Sequence, residues 1–135
     1  MKNMTMYNDQ IVHYMTIKPE YFESVKSGDK IYEVRTNDSR RQKMQIGEYI
    51  QIFREPELEE FVLVEIKNKI LFKNFTELYD SMPKKQVGFE GKSTEDIVGS
   101  LRRFYTVEQE ELNGVVAIEI KVVNLTKDYT HTLHQ

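Results

Sequence analysis

Cysteine is absent from the 135 residues of this chain. Disulfide frameworks, thiolate zinc sites and cysteine nucleophiles are therefore excluded, and the composition fits a reducing compartment. Histidine is scarce as well, since His13, His131 and His134 are scattered and lack the spacing of a metal-binding motif. We therefore expect no metal and no cofactor, so any chemistry must use other groups.

Long apolar runs are missing too. The first residues, MKNMTMYNDQ, lack the apolar segment of a signal peptide, and no stretch approaches the ~20 apolar residues that a membrane span needs. Positive charge is not in excess, because 19 Lys and Arg residues stand against 22 Asp and Glu residues, a net charge of −3. We expect a soluble, cytoplasmic protein without a membrane partner, which binds any anion through a local site rather than a bulk positive field.

The composition is sufficient for one folded domain. Apolar residues make up 39% of the chain and charged residues 30%, which is typical of a globular protein, and the length suits one core rather than two. Both ends are polar and lose the apolar periodicity of the middle. The sequence therefore predicts a flexible N-terminus at 1–10, a domain at 11–124 and a C-terminal tail at 125–135.

The order of elements predicts an α+β fold. Runs that are rich in β-formers or alternate in polarity predict strands at 11–17, 30–36, 49–54 and 115–123, and a long strand or a bent pair of strands at 58–72. Helical spacing and end signals predict three helices, at 19–27, at 74–81 and from Ser93 along an apolar stripe that includes Phe104 and Tyr105. The segment 37–45 (NDSRRQKMQ) is interpreted as a polar connection.

One predicted strand carries an unusual set of charges. Glu33 and Arg35 fall on the same face of the strand, and Lys30 stands at its start. The simplest interpretation is a solvated ion pair. The functional interpretation is a ligand site: Lys30 supplies a point charge, Arg35 a planar fork for phosphate or carboxylate, and Glu33 an acceptor for N–H groups of a base edge.

Three motifs, in this order, resemble the ASCH domain family. The run YFESVKSGDKIYEVR is similar to a signature in which a helix ends at Gly and the next strand opens with G-x-K-x-x-E-x-R, here Gly28, Lys30, Glu33 and Arg35. IGEYIQI resembles the family's G-D-x-I strand, with Glu48 in the usual Asp place. FYTVEQEELNGVVAIEIKVV is similar to its closing helix, glutamate-rich link and last strand, so the resemblance spans residues 13 to 124.

The resemblance implies a fold and a site. ASCH domains are relatives of PUA domains, so we expect a small, partly open PUA-like β-barrel of five or six mostly antiparallel strands, flanked by about three helices. The implied cleft is lined by Lys30, Glu33 and Arg35. The candidate rings for stacking on a base are Tyr32, Phe104 and Tyr105, of which Phe104 is interpreted as core and Tyr105 is preferred. A flanking basic rim would comprise Arg40, Arg41, Lys84, Lys85, Arg102 and Arg103. The alternative is that Glu33 and Arg35 only stabilise the barrel mouth as an ion pair.

Binding is the first functional hypothesis, because the PUA relationship implies a cleft for RNA or a modified nucleoside or nucleotide. Hydrolysis is the alternative, with Lys30 and Glu33 as candidate catalytic residues. In a metal-independent ribonuclease, Glu33 would accept the 2′-hydroxyl proton while Lys30 and Arg35 neutralise the phosphate. Tyr105 and His13 are the candidates for its general acid. In an acetylcytidine-type amidohydrolase, Lys30 matches the family's lysine, but Glu33 stands where the family has its Thr nucleophile, and Glu90 is the candidate for the distal Glu.

A third hypothesis is a regulatory interaction module. In this case the cleft would bind a peptide or a small anion, and the acidic side chains of Glu108, Glu110 and Glu111 would contact a basic partner.

Overall fold

Six strands and five α-helices make up the computed structural model, which describes residues 4–123. The strands are β1 (Met6–Tyr7), β2 (Gln10–Ile17), β3 (Tyr32–Thr36), β4 (Tyr49–Arg54), β5 (Phe61–Phe72) and β6 (Val115–Val122). The helices are α1 (Pro19–Ser27), α2 (Ser39–Gln42), α3 (Phe75–Ser81), α4 (Thr94–Leu101) and α5 (Val107–Asn113), and a 3-10 turn spans Lys84–Val87. The predicted α+β class is confirmed.

All six strands form one mixed sheet in the order β1-β2-β4-β5-β6-β3. Strands β2 and β4 run parallel, and the other neighbours run antiparallel. The chain between the parallel strands includes α1, β3 and α2, in keeping with the long crossover that parallel pairing requires. Strand β5 pairs with both β4 and β6, and a bulge between Ile66 and Asn68 bends it, so the predicted long segment is one bent strand.

The sheet does not close into the predicted barrel. Within residues 4–123 no ladder joins β3 to β2, since β3 pairs with β6, and β2 pairs with β4 and the short β1. Arginine side chains span the gap instead: Nη2 of Arg35 donates to the carbonyl of Thr16 at 3.3 Å, and Nη2 of Arg40 donates to the carbonyl of Tyr14. Because an extended arginine is longer than the ~4.8 Å spacing of paired strands, the two edges stay apart and form an open seam.

Strand β6 divides the apolar core in two. Val116, Ile118 and Ile120 join the core that the curved sheet encloses with α1, whereas Val115 and Ala117 join the core beneath α3 and α4. The register sets Glu33 of β3 opposite Ile118 and Arg35 opposite Val116. Since directly opposed residues point to the same face, both charges lie on the inner face of the sheet, beside the seam.

Most helix ends follow local signals. Helix α1 begins at Pro19 and ends at Gly28, whose φ of 90° is left-handed and whose N–H donates to the carbonyl of Val25. Two short helices were missed because their residues are mostly polar. Helix α2 begins after Asp38, whose side chain accepts from the Arg41 N–H, and α5 begins with a capping box at Thr106.

The structure describes the start of the chain from residue 4 but not the predicted C-terminal tail. Met6 and Tyr7 pair with Ile11 and Gln10, and Met4 is buried. The domain bounds of 11–124 stay a prediction. The predicted tail at 125–135 lies outside the described residues. No helix within residues 4–123 is long and apolar enough to cross a membrane.

Candidate ligand-binding cleft

A cavity of about 310 Å³ opens where the seam meets α1 and the turn between α4 and α5. Thr16 from β2, Tyr21 from α1, Glu33 from β3 and Phe104 from the turn line the cavity. The cavity volume is at the lower end of the range for small-molecule sites, which is about 300–1,000 Å³. The cleft therefore suits a small-molecule ligand.

Lys30, Glu33 and Arg35 form the charged floor of the cleft. The Nζ of Lys30 lies 2.6 Å from Oε2 of Glu33, and the Nε of Arg35 lies 3.1 Å from Oε1, so each carboxylate oxygen has its own cation. Burial would raise the pKa of Glu33, but the charges of Lys30 and Arg35 and their hydrogen bonds hold it at about 2. The carboxylate is therefore ionised, and the interpretation of Glu33 and Arg35 as a solvated ion pair is wrong, since Glu33 is 5% exposed.

Lys30 reaches the floor through a narrow passage. Its N–H donates to the carbonyl of Ser24, which fixes the backbone just after α1. Its stem then packs on Gly88, where the position of a Cβ would be 3.0 Å from the Cδ and Cε of Lys30. Because Lys30 is 6% exposed, its ammonium is confined to the cleft and does not move freely in solvent.

Arg35 links the floor to the seam and to one wall. In addition to Glu33, its guanidinium contacts the carbonyl of Thr16 and the hydroxyl of Tyr105. Burial would lower the pKa of Arg35, but the Glu33 charge and hydrogen bonding to Glu33 and Tyr105 raise it. Arg35 is therefore a fixed cation, with its fork oriented by groups on three elements.

Aromatic rings build the walls of the cleft. Phe89 makes edge contacts with Tyr21 and Tyr79, with ring centroids 5.6 and 5.7 Å apart, and Tyr105 packs on Phe75 at 5.3 Å. Burial raises the pKa of the Tyr79 hydroxyl, and the nearby Glu33 charge adds to this shift. Of these wall residues, the sequence predicted Tyr105 for the site. Tyr21 and Tyr79 fall within the predicted helices at 19–27 and 74–81 but were not predicted for the site.

Thr16 and Glu55 form a polar pair on the wall that the sequence did not reveal. The Oγ1 of Thr16 donates to Oε2 of Glu55 at 2.7 Å, and both residues line the cavity. The two residues are 39 positions apart in sequence and meet because β2 and β4 run side by side. Nothing local in the sequence indicates this pairing.

The predicted basic rim does not assemble as a group. Arg103 lines the cavity, but the other five cations have partners elsewhere. Their partners are Tyr14 for Arg40, Asp38 for Arg41, the Tyr79 carbonyl for Lys84, Asp29 for Lys85 and Glu110 for Arg102. Arg40, predicted as a ligand-binding residue, therefore lies along the seam and does not line the cavity.

The predicted apolar stripe does not continue to Phe104, because the helix ends before it. Helix α4 ends at Leu101, and the N–H groups of Phe104 and Tyr105 both donate to the Leu101 carbonyl. This turn directs Tyr105 inward and leaves Phe104 57% exposed at the mouth of the cleft. The interpretation of Phe104 as core is therefore wrong. Lys18, which the sequence did not single out, lies beside it.

Other candidate residues lie away from the cleft. Tyr32 packs against the core beneath α3 and α4, and His13 contacts Glu48, with Nε2 2.7 Å from Oε1. Glu90 is exposed and does not line the cavity. Glu110 is 3% exposed and accepts the Phe75 N–H, so it does not present a free charge to a basic partner. Within residues 4–123 no group of three or more metal-ligating side chains is placed to hold an ion.

Fold and site together define a small α+β domain with a charged, aromatic-walled cleft at the open seam of its sheet. The family model described as the ASCH domain matches residues 15–124. The chain therefore belongs to the ASCH domain family, and the relationship inferred from its three motifs is confirmed.

Solved structures show the same fold. The crystal structure of hypothetical protein PH0355 is 31% identical, with a TM-score of 0.73, and the match covers 84% of this chain and 100% of that one. Protein PF0455 from Pyrococcus furiosus, solved by NMR, is 29% identical, with a TM-score of 0.64, and the match covers 85% of this chain and 100% of that one. A serine-to-alanine mutant of ZmASCH from Zymomonas mobilis is 13% identical, with a TM-score of 0.55 over 87% of this chain and 75% of that one, which shows the fold alone. A search of curated proteins found no match.

Proposed function

We propose that the cleft binds RNA or a modified nucleoside or nucleotide. The observation that carries the proposal is the convergence of Lys30, Glu33 and Arg35 at the floor of a cavity with aromatic walls. Aromatic walls suit a planar base, and a floor of fixed charges suits its polar edge or an attached phosphate. Membership of a family related to PUA domains supports the same class of ligand.

The floor offers both donors and acceptors. Two cations and one carboxylate give it a local charge of +1, which favours an electron-rich or anionic group. The Lys30 ammonium has three N–H donors, of which Glu33 takes one, and the Glu33 carboxylate has lone pairs beyond the two it uses. A base edge with both an acceptor and an N–H group can therefore bond to the floor without breaking the ion pairs.

The same geometry weakens the ribonuclease hypothesis. A general base works best when its pKa lies near the operating pH. The pKa of Glu33 is about 2 because Lys30 and Arg35 offset the cost of its burial. Glu33 is therefore a weak proton acceptor, and its position fits recognition better than proton abstraction.

Removal of the two cations tests the proposal. In titrations with nucleosides, nucleotides and short single-stranded RNAs, we expect Lys30→Ala combined with Arg35→Ala to lower the affinity of the ligand that the wild type binds by at least about 30-fold, because truncating a buried charged partner costs about 2–5 kcal/mol. Arg35→Lys keeps a charge beside Glu33 but loses the fork. It should weaken binding in a protein that stays folded.

Arg40→Ala is the matched control for this experiment. Arg40 also donates to a β2 carbonyl across the seam, but it does not line the cavity. We expect its removal to leave affinity within about twofold of the wild type, a difference below ~0.4 kcal/mol. Unchanged binding in the Lys30 and Arg35 variants would contradict the proposal and move the site elsewhere.

Amide hydrolysis is the second candidate function, and the Thr16–Glu55 pair is the observation that favours it. A hydroxyl that donates to a carboxylate at 2.7 Å is arranged for proton transfer to that carboxylate when the hydroxyl attacks an acyl carbon. Thr16 lies in the cavity with Lys30, so it can supply the nucleophile that is missing at position 33.

Acetylated cytidine is the substrate that tests this candidate. If hydrolysis takes place, Thr16→Val should abolish turnover, whereas Thr16→Ser, which keeps the hydroxyl, should retain part of it. Glu55→Gln should also lose at least about 100-fold in rate, the usual contribution of a positioned proton acceptor. A wild-type protein that binds acetylated cytidine without turnover would exclude the hydrolase and leave binding.

A further inference from the structure

An exposed aromatic ring stands at the mouth of the cleft and has no role in the core. Phe104 lies in the turn between α4 and α5, is 57% exposed and lines the outer part of the cavity. The next residue, Tyr105, is packed against Phe75. A phenyl ring that stays in water does not contribute the stabilisation that its burial would give. The exposure of Phe104 beside a ligand cavity therefore indicates a role outside the core.

Two cations flank this ring. Nζ of Lys18 lies 4.7 Å from the ring centroid, and Cζ of Arg103 lies 5.9 Å from it. Both residues line the cavity, both are exposed, and neither takes part in an ion pair within residues 4–123. The mouth therefore combines an aromatic face with two positive charges whose counter-charges are not supplied by the described part of the chain.

We propose that this mouth, defined by Lys18, Arg103 and Phe104, binds the nucleotide adjacent to the one in the cavity, so that the ligand is single-stranded RNA rather than a free nucleoside. An aromatic ring beside basic side chains is the combination by which proteins bind single strands, the ring stacking on a base and the cations contacting phosphates. The inference rests on the proposed function, because it takes the cavity as the site of the neighbouring nucleotide.

Size and charge select this occupant over the alternatives. A cavity of about 310 Å³ takes one unpaired base, whereas a base within a duplex would first have to leave the stack. The net charge of −3 provides no broad basic surface to follow a duplex. Two cations at one opening match the phosphates of a short single strand.

Phe104→Ala separates the mouth from the cavity. The probes are the four nucleoside 5′-monophosphates and the four single-stranded homotetramer RNAs, titrated against the full chain. We expect Phe104→Ala to weaken tetramer binding by about 5- to 150-fold, the range for loss of one stacked base, and to weaken monophosphate binding by a smaller factor, because a monophosphate lacks the second base that the ring would stack on. Phe104→Tyr should keep most of the tetramer affinity because it keeps the ring.

The salt dependence of tetramer affinity tests the two cations separately from the ring. The double variant Lys18→Ala, Arg103→Ala should reduce the slope of log affinity against log salt concentration by about 1.4 for the tetramer, because each phosphate that is no longer neutralised lowers the slope by about 0.7.

Tyr14→Ala is the matched control for Phe104→Ala, since Tyr14 is also exposed, at 48%, beneath the cation of Arg40 but does not line the cavity. It should leave tetramer affinity unchanged.

The outcomes distinguish this inference from the proposed function. Tetramer binding that depends on Lys30 and Arg35 but not on Phe104 would overturn the mouth site alone. Tetramer binding that depends on Phe104 but not on Lys30 and Arg35 would overturn the cavity as the nucleotide site. A wild-type protein that binds neither probe, or an equal loss in the Phe104→Ala and Tyr14→Ala variants, would also overturn the proposal.

Discussion

At the scale of single residues, the position of Lys30 depends on a glycine that the sequence does not single out. A Cβ on Gly88 would lie 3.0 Å from two carbons of the Lys30 stem, closer than the distance of about 3.5–4.0 Å at which carbon atoms pack well. The 3-10 turn at Lys84–Val87 brings Gly88 to this place with a φ of 87°. The missing side chain leaves room for the lysine to reach Glu33.

Gly88→Ala should therefore weaken ligand binding. The added methyl group requires the Lys30 stem to shift by a few tenths of an ångström, and this shift strains its 2.6 Å hydrogen bond with Glu33. We expect affinity for the ligand that the wild type binds to fall on the order of 10-fold, equivalent to ~1.4 kcal/mol. The left-handed backbone adds a loss of about 1–2 kcal/mol in the free energy of unfolding. Titration calorimetry and urea unfolding measure the two effects.

Gly91→Ala separates the steric effect from the backbone strain. Gly91 has a similar φ, 80°, but a Cβ there would meet nothing within 4 Å. We expect the same loss of stability as for Gly88→Ala with unchanged affinity. If both variants lose affinity equally, the close approach of Gly88 to Lys30 does not position the lysine.

Single residues also show where prediction from sequence succeeds and where it fails. The charged floor was predictable, because Lys30, Glu33 and Arg35 lie within six positions on one motif. Phe104 was not, because helical spacing assigns it to the same stripe as Tyr105. The turn after Leu101 decides that one ring points inward and its neighbour outward, and this depends on tertiary packing.

At the scale of elements, local signals set most boundaries. The predicted helix at 19–27 and strand at 49–54 agree with Pro19–Ser27 and Tyr49–Arg54, because proline, a left-handed glycine and runs of β-formers act over a few residues. Helices α2 and α5 escaped prediction because an amphipathic period is not readable in four to seven mostly polar residues. Their capping residues were the available signal.

The arrangement of the elements depends on pairings distant in sequence. The resemblance predicted a barrel, but closure would require β3 to pair with β2, and arginine side chains occupy that gap. The open seam is the consequence that matters for function. A closed ladder would block the space between β2 and β3, where Thr16 and Arg35 line the cleft.

At the scale of the whole molecule, burial of the charged floor ties folding to pH. Glu33 is 5% exposed and Lys30 is 6% exposed, so each would destabilise the fold without its partner. Together they offset the cost of desolvation, and the Glu33 pKa of about 2 in the folded protein lies below its ordinary value of 4.5. The folded chain therefore holds this proton more weakly than the unfolded chain does.

This difference in pKa predicts how stability changes in acid. The difference between the pKa of 4.5 in the unfolded chain and about 2 in the folded chain corresponds to about 3 kcal/mol of stability. This stability is fully present above pH 4.5 and is lost as the pH falls towards 2, because protons then bind the unfolded chain more strongly.

Glu33→Gln removes the titrating group and should lower the free energy of unfolding by about 3–5 kcal/mol near neutral pH, since two buried cations lose their carboxylate. In urea unfolding between about pH 2 and 7, the gap between wild type and variant should stay constant above about pH 5 and narrow below 4.5. A gap that stays constant down to about pH 2 would show that folding does not depress the Glu33 pKa, and that the floor is not the tight charge cluster on which the ligand site depends.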